Sequence, residues 1–199
     1  TTAPETEDNG LINLLTQAES LALQYDYEGA INLITSDSRY ASAKEAADAV
    51  AAYTDQMSRL VRVNPQEVTH VFFHSLIVDT SKAFDGDNRE GGYNQMMTTK
   101  DEFMQSMYDK GYVLVKIHDL AYETTDENGN PKFVYGDIML PEGKKAFVMS
   151  QDDVCYYEYM KGDGFATRMV IGEDGKPTCE MTLDDGTVST GSYDLVPLL

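Results

Sequence analysis

The apolar pattern of this chain changes period once, and that change limits the fold more than any other feature. Up to Leu60, apolar side chains recur with the 3.6-residue period of an amphipathic helix. After Asn64-Pro65 they bunch into short β-branched and aromatic runs of strand length. A chain patterned in both ways is neither one helical bundle nor one sheet. The expected class is α/β, or an α+β mixture.

In the first segment, Leu11, Leu14, Leu15, Ala18, Leu21, Ala22 and Tyr25 form one stripe. Asp26 is placed to N-cap a second helix carrying Ala30, Ile31, Leu33 and Ile34. Ser42 with Glu45 reads as a capping box for a third, with a stripe of Ala46, Ala49, Val50, Tyr53, Met57 and Leu60. The stretch AESLALQYDYEGAINLI resembles one tetratricopeptide helical pair. A solenoid needs several stacked units, so the expectation is a helical hairpin packed on the domain that follows. Residues 1–10 read as a flexible acidic leader, 11–63 as a helical region and 64–199 as an α/β domain.

That domain opens with VTHVFFHSLIV, residues 68–78, expected as a buried strand. Residues 79–98 are polar and Gly-rich and read as a long loop. Thr99 and Glu102 predict the start of a helix with Phe103, Met107 and Tyr108 inward, stopping at Gly111. Residues 112–117 are the next strand, giving a parallel pair with the first. Asp126 to Asn130 is a hairpin turn, with Phe133 to Tyr135 on its far arm. Lys145 to Ser150 is a third buried strand. The turns at Gly175 and Gly186 predict a β-meander in the tail.

Hydrophobic residues make up 42% of the chain, enough for a buried core, but the charge is one-sided. Asp and Glu total 34 against 15 Lys and Arg, a net charge of −19. Such a field repels nucleic acid and anionic lipid, and leaves neutral substrates, cationic substrates and metal ions open. No apolar run approaches a membrane span. Two cysteines, Cys155 and Cys179, are too few for a disulfide scaffold and leave one bridge open. The start without Met suits a trimmed protein that is secreted or held at a cell surface.

Few residues are candidates for chemistry. His70 and His74 have chelating spacing for a helix, but on a strand four residues span about 13 Å, too far to share one zinc. Asp152 and Asp153 are the sharper signal, being adjacent carboxylates at the end of a buried strand, where α/β folds collect reactive groups. Asp85-Gly86-Asp87 and Asp126 to Asn130 read as turns, not calcium loops. Cys155 has no histidine downstream of it to act as a base. The run CYYEYM could line a sugar groove or form a packed helix face.

The order of these elements, with FFHSL, then TTKDEFMQSMYDKGYVLV leading into HDLA, then KKAFVMSQDD, resembles the front half of the NodB-like polysaccharide deacetylases, carbohydrate esterase family 4. In that family a hydrophobic strand leads to an Asp-Asp pair, which here is Asp152-Asp153. The helix segment with Phe103, Met107 and Gly111-Tyr112 is also similar. The resemblance runs from about residue 66 to 160. It implies a distorted (β/α) barrel, of which this chain would hold the first part with a β-hairpin and meander insertion. It implies N-acetylated cell-wall or extracellular glycans as substrate and a divalent metal, zinc, as cofactor. Asp152 would be the general base and Asp153 a metal ligand. His74, Tyr156 and Tyr157 are the candidate substrate-binding residues. The helical extension is similar to that of secreted deacetylase-like proteins of Gram-positive bacteria.

The sequence also departs from the family. No histidine follows His118, so the family's downstream histidine pair is missing, as are its later Arg, Asp/Trp and Leu-x-His motifs. A catalytic zinc usually takes three protein ligands. The expectation is the opening portion of a metal-dependent deacetylase, without metal or activity as it stands. The alternative is a non-catalytic surface module that binds carbohydrate, or binds protein through the N-terminal helices.

Overall fold

The structure is a computed structural model, and it describes residues 9–40, 42–86 and 90–198. The expected leader lies outside them except for Asn9 and Gly10, which belong to the first helix. Helices and strands mix as an α+β fold. The described residues form two compact units, one within 9–65 with 136–144 and the other within 66–135 with 145–198.

The first unit is three helices and a small β-pair. α1 is Asn9–Ala22, α2 is Tyr27–Ser36 and α3 is Lys44–Ser58. Ala18 and Ala30 are fully buried, and these small side chains let the helices approach closely around Ile34, Tyr27 and Ala46. Asp26 caps α2, accepting a hydrogen bond from the Gly29 N–H at 2.8 Å. The capping box predicted at Ser42 does not form. α3 starts one residue later, so Ala43 holds the cap position and its methyl accepts nothing. Leu60, expected at the end of the helical stripe, instead opens β1, Leu60–Arg62. β1 pairs antiparallel with β6, Met139–Pro141, a pairing the sequence did not predict.

The second unit is built on a parallel sheet of β2 (Thr69–Phe73), β7 (Lys145–Gln151) and β3 (Tyr112–Leu114), in the order β2-β7-β3. It does not close into a barrel. The expected parallel pair is corrected in one respect: β2 and β3 do not touch, because β7 lies between them and pairs with both. β7 is the apolar run, with Ala146, Phe147 and Val148 buried. β2 is shorter than expected and is an edge strand with Phe72 exposed.

The stretch expected as a long loop holds α4 (Thr80–Ala83) and α5 (Glu90–Met96). Two glycines in α5 lower its intrinsic propensity, and tertiary packing overrides them. Tyr93 is buried edge-on against Phe165, with ring centroids 4.9 Å apart. The predicted helix is α6, Lys100–Asp109, N-capped by Thr99, whose hydroxyl accepts from the Glu102 N–H at 3.1 Å. Phe103 packs inward against Phe73 as expected, but Tyr108 faces solvent. α6 stops at Gly111, whose φ of 75° suits glycine. After β3 the chain turns early into α7, Ile117–Leu120, so the strand predicted to Ile117 ends at Leu114.

The predicted hairpin is β4 (Ala121–Thr125) against β5 (Pro131–Tyr135). The predicted meander is β8 (Arg168–Ile171), β9 (Pro177–Thr182) and β10 (Val188–Gly191). Gly164 is required by close approach: its carbonyl accepts from the N–H groups of Val78 and Asp79. A Cβ there would lie 2.2 Å from the Asp79 carbonyl oxygen.

Candidate functional site

The register of the parallel sheet builds the site. Phe73 pairs with Gln151, so the chains leaving β2 and β7 emerge side by side. That brings His74 against Asp152, with Nε2 to Oδ1 at 3.3 Å, and sets Nδ1 at 4.0 Å from Asp153 Oδ2. His74 is largely buried, while both carboxylates face solvent. Asp153 has φ 45°, in the left-handed region that non-glycine residues seldom occupy. Its Oδ1 accepts the Tyr157 hydroxyl at 2.8 Å. That bond, with the Asp153 charge, pushes the Tyr157 phenol up to about 12.

An open cleft of about 460 Å³ lies over these strand ends. His74, Ser75, Asp153, Cys155 and Tyr157 line one part, and Tyr93, Met96, Met97, Tyr159 and Met160 the rest. Tyr157 and Tyr159 stack at 5.3 Å with 11° between planes, and both are exposed. Residues 152–157 are irregular and lead into a 3₁₀ turn at Glu158–Met160, so CYYEYM is not the packed helix face that was one expectation.

Behind the cleft is a polar clamp that the sequence did not point to. Asp194 is fully buried, and its Oδ1 accepts from Leu76 N–H at 3.2 Å, Leu195 N–H at 2.7 Å and Gln151 Nε2 at 2.7 Å. Its Oδ2 accepts the Tyr156 hydroxyl at 2.8 Å. Gln151 Nε2 also donates to the His74 carbonyl at 3.0 Å, so one amide ties both strand ends to one carboxylate. Burial, then the Asp194 charge, pushes the Tyr156 phenol far above its ordinary range. Tyr156 therefore turns away from the cleft where Tyr157 lines it, a split that adjacent tyrosines in a sequence do not reveal. The only sequence signal for Asp194 was a lone acid beside an apolar run.

No family model, curated protein or solved structure matches this chain.

The two nitrogens of His74 face different carboxylates, so the ring cannot direct both toward one ion. Among the described residues no three His, Cys, Asp or Glu side chains gather to hold a metal. The residues present thus do not fit a complete zinc centre, which needs ligands beyond Asp153. His70 lies apart from His74's partners, with its Nε2 2.8 Å from the Ser150 hydroxyl. His118 lies on α7 and is exposed. Cys155 and Cys179 are both free thiols, one exposed and one buried. Burial pushes the Cys179 thiol up, the mark of an inert cysteine rather than a nucleophile. Asp126 caps its turn by accepting the Asn128 and Asn130 N–H groups, each at 2.9 Å. Asp87 lies outside the described residues. No described helix is long and apolar enough to cross a membrane.

Proposed function

We propose that this chain carries the base-bearing part of a metal-dependent polysaccharide deacetylase acting on N-acetylated cell-wall or extracellular glycans. The observation that supports it is the meeting of Asp152, Asp153 and His74 at the carboxyl end of a parallel sheet, under an open cleft. In this reading the sheet is the first part of a distorted barrel, and the protein works outside the cell or at its surface. Asp152 is exposed to solvent and takes the proton of a water attacking the acetamide carbonyl. His74 sits against Asp152 and fixes its orientation. Among the described residues Asp153 is the one metal ligand this part supplies, so in this reading the chain alone binds glycan without releasing acetate.

A second reading rests on the exposed Tyr157–Tyr159 stack, which offers a sugar a flat aromatic face. Here the chain is a carbohydrate-binding surface module without catalysis, and α1 to α3 are free to contact another protein.

The deciding experiment is acetate release from an N-acetylglucosamine oligomer by the product of the whole reading frame holding this chain, with zinc supplied. Asp152→Asn is expected to lower the rate by about 10²-fold or more. Glycan binding without acetate release under any divalent metal would replace the first reading by the second.

A further inference from the structure

We propose that the cleft over His74 and Asp153 takes a ligand bearing a protonated amine, of the amino-sugar class. This rests on the glycan reading of the same site and adds the charge of what it holds. The cleft lining contains a carboxylate and no Lys or Arg among the described residues. Asp153 Oδ1 is taken by the Tyr157 hydroxyl, while its Oδ2 accepts no hydrogen bond from the described residues and stands 4.0 Å from His74 Nδ1, beyond hydrogen-bond reach.

The second, independent observation is Ser75. It lines the cleft, is only 1% exposed, and its hydroxyl has no hydrogen-bond partner among the described residues. A buried hydroxyl without a partner is costly, and a ligand donor removes that cost. An ammonium group brings three donors and no acceptor, and it meets acceptors here in Asp153 Oδ2 and the Ser75 hydroxyl. The exposed faces of Tyr157 and Tyr159 add cation–π attraction, and Met96, Met97 and Met160 form an apolar wall for the ligand's body. An acetamide brings a single uncharged N–H donor, so it gains less from this carboxylate than an ammonium does. The net charge of −19 further concentrates cations around the chain.

Isothermal titration calorimetry at neutral pH tests this with three probes: a glucosamine oligomer, the N-acetylglucosamine oligomer of equal length, and n-butylammonium. The glucosamine oligomer is expected to bind at least about tenfold tighter than its acetylated counterpart, the scale of one charge-assisted hydrogen bond. Asp153→Asn keeps the shape and tolerates the left-handed backbone, and it should abolish that preference. Ser75→Ala should weaken the glucosamine oligomer alone. Asp101→Asn removes an equal charge outside the cleft and should change nothing. If Asp101→Asn lowers the preference as much as Asp153→Asn, the general field is responsible and the proposal falls. Equal binding of both oligomers overturns the amine inference and leaves the glycan reading standing. Binding of n-butylammonium but neither oligomer keeps the amine site and removes the glycan reading. No binding of any probe overturns the inference.

Discussion

The helical unit and the sheet unit of this protein handle polar groups in opposite ways. Around Ala18, Ala30 and Ile34 the helices bury apolar side chains, and their charges stay in solvent, as with Lys44 and Asp48 one turn apart on α3. At the carboxyl end of β2 and β7 the chain buries a carboxylate and ties to it the amide and the hydroxyl of two half-buried side chains. Hydrophobic packing is tolerant of small changes, whereas a buried hydrogen-bond network fixes one arrangement and fails when a member is removed. The polar end is therefore where this molecule holds the candidate side chains His74, Asp152 and Asp153 in place.

The largest test of that contrast is Asp194→Ala. It leaves the donors of Leu76, Leu195, Gln151 and Tyr156 without their acceptor, and should cost about 4 kcal/mol in urea unfolding. A loss below about 1 kcal/mol would show that the strand ends hold together without the clamp. Next is Ile34→Ala in the helical core, which removes a side chain 3% exposed and should cost about 3 kcal/mol. If it costs more than Asp194→Ala, the ranking of the two regions reverses.

The smallest effect is alkaline. The Tyr157 phenol is raised to about 12, while an unfolded tyrosine titrates near pH 10. A group raised on folding stabilises fully below the unfolded value, and that contribution is lost as pH climbs through about 12. The tyrosinate absorbance lost on Tyr157→Phe should report a late-titrating phenol, and the same difference should move to lower pH in an Asp153→Asn background. An unchanged titration would remove the Tyr157–Asp153 bond from the site.

Much of the framework was legible because its causes are local. The α2 cap at Asp26, the Thr99 cap of α6, the β4–β5 turn and the apolar run of β7 each follow from residues within one turn or one strand. Two local signals failed for a local reason: Ser42 lost its role when α3 began at Lys44, and Tyr108 lies on the outer face of α6. What escaped is non-local. α5 exists because Tyr93 finds Phe165, seventy-two positions away, and β1 pairs with β6 about eighty positions on.

The sequence by itself determined that three helices come first, that the strands of the parallel sheet follow Pro65, and that Asp152 and Asp153 directly follow a buried strand. Only the tertiary structure decided that β7 separates β2 from β3, that His74 lies between the two carboxylates, and that Tyr156 turns in while Tyr157 lines the cleft. The physical reason is register. Periodicity fixes which face a side chain takes along its own strand, but only pairing Phe73 with Gln151 sets His74 beside Asp152.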